Sequence, residues 1–386
     1  MDTLAERVDA GLAALDRETL RRRRRILDSP QGARARVDGR DVANFSSNDY
    51  LGLAADPRLV AAAHRALDEF GVGAGASPLV SGHLRAHEEA ERRFASFCGL
   101  PRAILFPSGY AANLGILTVL GGTDAEVFGD RLNHACLHDG ARLSRSTYTR
   151  YAHLDPDALA RALSASRAAV RIVATDAVFS MDGDIAPLPE LLALCERHDA
   201  WLVVDDAHGI GVVGARGRGS LEHFALASPR IVYMATLGKA LGGYGAFVAG
   251  TPRTVEWLLQ RARTYVFSTA LPAVIAAAAS AALEILASDE APLARLRSRI
   301  VQFRGACDAL GVPVTPSETA VQPMIVGSAQ RALDLSARLL ERGLFVPAIR
   351  PPTVPEGTSR LRISLSAAHR PEDVERLARA LAESLA

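Results

Sequence analysis

The sequence predicts an α/β protein: a mainly parallel sheet covered on both faces by helices, with a small α+β domain at the C-terminal end. Three observations predict it. Short β-branched, apolar runs alternate with helical patterns from about residue 100 onward, which is the signature of successive βα units. Polar residues stand just past the ends of those runs. The chain has 386 residues, of which 49% are hydrophobic, enough to bury a large core and to divide into a major domain and smaller appendages.

Composition also excludes classes of partner. With 44 basic and 43 acidic residues the formal charge is +1, which gives no field for gripping nucleic acid or an anionic membrane. Asp2 and Glu6 stand where a secretory signal is basic and then apolar. The longest apolar stretch, residues 273–283, falls short of the ~20 residues that cross a bilayer. Cys98, Cys136, Cys195 and Cys307 lack paired spacing, so no metal site and no disulfide framework is expected, and the cytoplasm is the expected location.

Taken in order, residues 1–27 read as a helix with Leu4, Val8, Leu12, Leu15 and Leu20 on one side, ending in arginines at 21–25. In a chain of neutral balance that run reads as a solvated helix end or an anion-binding rim. A turn at Asp38-Gly39-Arg40 separates two short strands, and a polar loop over 44–53 leads into a helix at 57–70. Two glycine patterns invite a dinucleotide reading. The one at 71–76 follows a helix, and the one at 209–214 follows a strand at 201–204 but opens no helix; both are better read as permissive loops. No G-x-x-x-x-G-K-[ST] run exists, which excludes P-loop chemistry.

The regular part expects strands at 102–106, 125–128, 147–152, 170–179, 201–204 and 231–234, with helices at 110–120, 134–143, 188–198 and one opening at Asp155-Pro156. The tail expects a long helix to 310, a strand at 321–326, a helix at 329–342, a strand at 360–365 and a helix at 371–385. The expected partition is an N-terminal segment 1–45, a large α/β domain 46–289 and a small domain 290–386.

In open α/β sheets ligands gather at the carboxyl ends of the strands. That rule collects Ser108 and Gly109, Ser180, Asp205 and His208, Thr236 and Lys239. Lys239 is the only lysine in the chain, so an amine, and not merely a positive charge, is required there; an amine can form an imine and a guanidinium cannot. Ser108-Gly109 at a helix start offers a hydroxyl and N–H groups for phosphate. Asp205 at a buried strand end would stabilise a nearby cation. A phosphate cup, an acid for a ring nitrogen and an imine-forming lysine together match the needs of pyridoxal 5′-phosphate (PLP). The competing readings are a chance surface lysine and a structural Asp205–His208 pair.

These residues carry a resemblance. Phe45-Ser-Ser-Asn-Asp-Tyr-Leu-Gly-Leu53, Ser108-Gly-Tyr-Ala-Ala-Asn113, Val178-Phe-Ser-Met-Asp-Gly183, Val204-Asp-Asp-Ala-His-Gly209, Thr236-Leu-Gly-Lys239 and Arg350-Pro-Pro-Thr-Val-Pro355 resemble, in order, the motifs of the α-oxoamine synthases, PLP-dependent enzymes of transferase fold type I. The resemblance is strongest to the branch serving biotin biosynthesis. It implies a decarboxylative condensation of L-alanine with a pimeloyl thioester of CoA or a carrier protein, in a homodimer with shared active sites. It implies that Lys239 binds the cofactor and moves the substrate proton, that Asp205 meets the ring nitrogen, that His208 meets the 3′-oxygen, and that His134 stacks on the ring. Ser108, Gly109, Tyr110, Ser180 and Thr236 would line the cofactor, with Ser268 and Thr269 reaching a phosphate across the dimer. Arg21, Asn48, Thr353 and Arg362 would contact substrate, Arg362 as the fork for the amino-acid carboxylate. On the same strand face, Arg360 retains a surface reading.

The sequence departs from the family pattern at Gly73-Ala-Gly-Ala-Ser-Pro78, at Cys136, where relatives often have Ser, and at Phe267, where some have Tyr. A sister synthase using glycine or another thioester, a non-catalytic partner subunit and an aminotransferase are the remaining alternatives.

Overall fold

Strands rich in Val, Ile and Ala that are buried along most of their length require a sheet covered on both faces. In the computed structural model, which describes residues 3–385, six such strands and the more exposed edge strand Thr147–Tyr151 form a seven-stranded sheet. Its order is Arg102–Phe106, Ala246–Gly250, Ile231–Thr236, Ala200–Asp205, Val170–Asp176, Ala125–Asp130 and Thr147–Tyr151. From Ile231–Thr236 to Thr147–Tyr151 every pairing is parallel. Ala246–Gly250 runs antiparallel to both neighbours. That strand was absent from the expected set: four apolar residues between Gly245 and Gly250 carry too short a pattern to be separated from a loop. The strand expected over 170–179 stops at Asp176, where Ala177 N–H turns to the Asp205 carbonyl.

The chain divides into two compact units, residues 48–180 with 184–295, and residues 1–47 with 181–183 and 296–386. In the first, the helix Gly109–Leu120 is apolar on nearly every side, and Ala112, Ile116 and Leu117 join Phe106, Val232 and Val248 in one core cluster. The helix Arg85–Cys98 lies against the strand Ala246–Gly250, with Phe94 stacked on Phe247 at 4.4 Å. The helix Pro57–Phe70 has the bounds expected for it. Asp56 caps Arg58 N–H, Pro57 opens the first turn, and Gly71 ends it at φ 73°.

The second unit holds two three-stranded sheets. Arg34–Val37 and Arg40–Asn44 form a hairpin joined in parallel by Leu344–Phe345, and Ser359–Ser364 lies between Val321–Gly327 and Ala348–Ile349. The two-residue strands escaped the sequence reading. The helix expected over 1–27 is shorter: residues 1 and 2 lie outside the described residues, and the helix runs Leu4–Arg17. It ends before the arginines because Thr19 adopts φ 59°, outside the helical region. No residue of that helix is buried, and Leu4, Val8, Leu12 and Leu15 remain exposed.

Candidate active site

The register of three parallel strands brings chemistry together. Asp205 stands opposite Asp176 on one side and Met234 on the other, so two carboxylates end adjacent strands. Asp205 is buried; its Oδ2 accepts from Asn113 Nδ2 at 2.7 Å and its Oδ1 from Ala207 N–H at 3.0 Å. Asp176 accepts the His134 N–H at 2.6 Å and donates its own N–H to Asn133 at 3.1 Å. Burial and the adjacent Asp205 charge push the Asp176 carboxyl well above its usual range.

His134 caps the helix Ala135–Leu143, with its Nδ1 accepting from Cys136 N–H at 3.3 Å and lying 2.8 Å from Cys136 Sγ. Burial lowers its pKa and the Lys239 charge adds to this, against the pull of Asp205. His134, Cys136 and Asp176 each feel the charges of both Asp205 and Lys239.

Lys239, half-buried, sits on the loop joining the strand Ile231–Thr236 to the antiparallel Ala246–Gly250. The loop is closed by Leu237 N–H to Gly245 O at 2.9 Å, Gly243 N–H to Leu237 O at 2.8 Å, and Thr236 Oγ1 to Gly245 O at 2.8 Å. Gly242, at φ 65°, lets this loop approach the 48–54 segment: a Cβ there would lie 2.5 Å from Leu53 C and 2.6 Å from Ala54 N. That segment is held by the buried Asp49, whose carboxylate accepts from Leu53 and Ala54 N–H and whose pKa burial raises to about 6. It delivers Tyr50, whose hydroxyl lies 2.7 Å from His208 Nδ1 and donates to Asn48 Oδ1 at 3.1 Å.

Ser108 caps the helix Gly109–Leu120 by accepting from Ala111 N–H at 3.1 Å, and the first N–H groups of that helix are outside its ladder. Tyr110 is exposed and donates to Asp139 at 2.8 Å. Ser180 follows a bend fixed by the Val178–Ile185 bridge and by Phe179 N–H to Asp184 O at 3.0 Å. At the base of that bend His153 lies between Asp130, 2.9 Å away, and Asp184, 2.8 Å away. Burial opposes its charge, but the two carboxylates outweigh it and raise its pKa to about 9. Ser268 and Thr269 lie in the loop after the exposed Phe267.

The remaining residues belong to the other unit. Arg21 pairs with Asp16 at 2.6 Å and lines a cleft of about 700 Å³ with Arg23, Arg24, Arg25 and Arg350. Thr353 accepts from Arg22, not Arg21, at 3.2 Å. Arg362 is buried, with Nη1 donating to Ser364 Oγ at 3.0 Å. The surface reading of Arg360 is overturned: it is buried, paired with Asp182 at 2.5 Å and bonded to Met181 O at 3.1 Å, because Ser359–Ser364 is the central strand of its sheet.

Asn113 and Asp176 were not singled out from the sequence. A polar residue on an otherwise apolar helix was the available signal for Asn113; Asp176 lay inside what read as one long strand.

The donor set fits PLP. A capped helix start and the Thr236 turn suit a phosphate, Asp205 suits a cationic ring nitrogen, and the chain's one lysine follows the strand paired with that of Asp205. Fold and site together define a PLP-dependent enzyme of fold type I. The model of the family "Aminotransferase class I and II" matches residues 40–381. The chain is 54% identical over 374 residues to 8-amino-7-oxononanoate synthase of Methylobacillus flagellatus, covering 97% of this chain and 94% of that one. It superposes on SPT solved with PLP at a TM-score of 0.94, with 28% identity over 99% and 98% of the two chains. It superposes on 8-amino-7-oxononanoate synthase of Francisella tularensis at 0.78, with 30% identity over 89% and 98%. The chain belongs to the class I and II aminotransferase family and, within it, to the 8-amino-7-oxononanoate synthases.

Proposed function

We propose that this protein condenses L-alanine with a pimeloyl thioester, releasing the thiol and carbon dioxide and forming 8-amino-7-oxononanoate for biotin synthesis. The observation that carries the reading is the sole lysine of the chain, set just past the strand Ile231–Thr236 that pairs with the Asp205 strand, on a loop locked by Gly242.

PLP supplies an electron sink for negative charge at the α-carbon of the amino acid. Lys239 holds the cofactor and then takes and returns the α-proton, a role that needs an amine able to lose its charge. Asp205, fixed by Asn113 and Ala207, holds the ring nitrogen, and His208, oriented through Tyr50, holds the 3′-oxygen. Ser108, Gly109, Tyr110 and Thr236 hold the phosphate, Ser180 borders the ring, and His134 covers its face. Arg362 receives the alanine carboxylate, with Asn48, Arg21 and Thr353 as further substrate contacts. Asp176, Asp205 and Cys136 are buried, and with the cofactor bound this dry floor would keep water from the reacting carbon.

The protein acts in the cytoplasm, a reading supported by four free thiols. Among the described residues no helix is long and apolar enough to cross a membrane. It acts as a homodimer in which Ser268 and Thr269 serve the second copy; the exposed Val72, Val80 and Phe267 support such an interface, which sedimentation tests.

The test is purified protein with PLP, alanine and pimeloyl-CoA or pimeloyl-carrier protein, followed by product mass. The expected product is 8-amino-7-oxononanoate; turnover with glycine instead of alanine would assign the sister activity. Borohydride reduction of the holoprotein should place the cofactor mass on the peptide containing Lys239, and Lys239→Ala should abolish both signals.

A further inference from the structure

We propose that Cys136 is a positioning residue that fixes His134 as the tautomer with its single proton on Nε2, so that the accessible edge of this ring presents a donor and not an acceptor. Cys136 N–H donates to His134 Nδ1, and a nitrogen that accepts there carries no hydrogen of its own. The same nitrogen lies 2.8 Å from Cys136 Sγ. With Nδ1 bare, the hydrogen in that contact belongs to sulfur.

The surroundings of the thiol agree. Asn113 Nδ2 donates one hydrogen to Asp205 Oδ2 at 2.7 Å and faces Cys136 Sγ at 3.1 Å with the other, so sulfur accepts from Asn113 and donates onward. The alternative acceptor, Asp205 Oδ2, is more distant at 3.9 Å. Burial and the Asp205 charge push the thiol pKa up, which keeps its proton in place. The groups acting on the His134 ring are Asp205, Asp139, Lys239 and Cys136, with Asp176 on its backbone N–H. Burial, Lys239 and the positive end of the helix that His134 caps all favour the neutral ring. One amide therefore ties the acid at the strand tip to the ring that faces the reacting atoms: Asp205–Asn113–Cys136–His134. The Nε2–H is left to donate to a substrate oxygen. This consequence rests on the proposed placement of His134 over the cofactor, whereas the tautomer itself is a property of the chain without cofactor.

The test is nitrogen-15 NMR of histidine-labelled full-length protein without PLP, with the His134 signal identified by its loss in His134→Asn. Wild type should give the Nε2–H pattern, and Cys136→Ser, which keeps a hydroxyl donor, should restore it. Cys136→Ala removes the donor to the neutral ring and should raise the proton affinity of His134 about fivefold, the worth of one hydrogen bond. With PLP and alanine, the acid limb of the kcat profile should move upward in Cys136→Ala and return in Cys136→Ser. An Nδ1–H pattern in wild type overturns the proposal, and so does a Cys136→Ala protein with unshifted His134 titration and acid limb. Should Cys136→Ala fail to fold, the wild-type tautomer decides alone. An Nε2–H ring in a protein that makes no condensation product would leave this inference standing and remove the functional one.

Discussion

Replacing Asp206 with asparagine should make stability less sensitive to pH between about 4 and 7. Asp206 is fully buried next to Asp205; its Oδ2 accepts from Ser220 N–H and from the Tyr233 hydroxyl, each at 2.7 Å. Its Oδ1 has no hydrogen-bond partner among the described residues. A carboxylate with one unsolvated oxygen is disfavoured, and burial raises the pKa to about 7 despite those two donors. The acid is therefore harder to ionise folded than unfolded. Its contribution is complete below the unfolded pKa of about 3.9 and is lost as pH rises to the folded value, at about 1.4 kcal/mol per pH unit and about 4 kcal/mol in total. Asparagine keeps an acceptor oxygen for Ser220 and Tyr233 and does not titrate. In urea unfolding of the cofactor-free proteins, Asp206→Asn should gain on wild type by about 1.4 kcal/mol per unit from pH 4 to 7 and then level off. Asp49 and Glu91, whose pKa values burial raises to about 6 and about 7, are present in both proteins and cancel. A difference that stays constant over this range, or that grows in favour of wild type, would refute the reasoning.

Three further outcomes are expected. Gly242→Ala forces a Cβ into the backbone of Leu53 and Ala54 at φ 65° and should cost about 2 kcal/mol or more, seen as a lower Tm together with weaker PLP absorbance. Ser108→Ala removes the cap on Ala111 N–H and should destabilise the apoprotein by about 1 kcal/mol, with loss of PLP affinity measured separately by titration. His153→Gln discards a charge shared with Asp130 and Asp184. Because its folded pKa lies above the unfolded value, wild type should exceed the variant most below about pH 6.5, and the gap should close as pH passes about 9, followed by thermal unfolding across that window.

Elements whose signals are local were legible in the chain. The helix Pro57–Phe70 is bracketed by an aspartate cap, a first-turn proline and a terminal glycine, each acting within a few residues. Most of the parallel strands are legible as apolar runs, and the rule for strand ends gathers Asp205, Thr236 and Lys239 from the sequence. Where neighbours in space decide, the chain was silent. Arg360 has the sequence context of a surface strand, yet the two strands beside it bury it against Asp182. The arginines after Arg17 continue the helical pattern of the sequence, and the turn at Thr19 ends it.

The sequence alone determined that the chain offers a single lysine amine and that it stands just past an apolar strand. Tertiary structure alone decided how that amine is surrounded. Parallel register sets Asp176 beside Asp205, and Asn113 and Cys136 arrive from two separate helices to complete the hydrogen bonding of the acid and of His134. The reason is range: capping and periodicity act within a turn or two of chain, whereas desolvation and hydrogen-bond partnership depend on residues more than 90 positions apart, as Asn113 and Asp205 are.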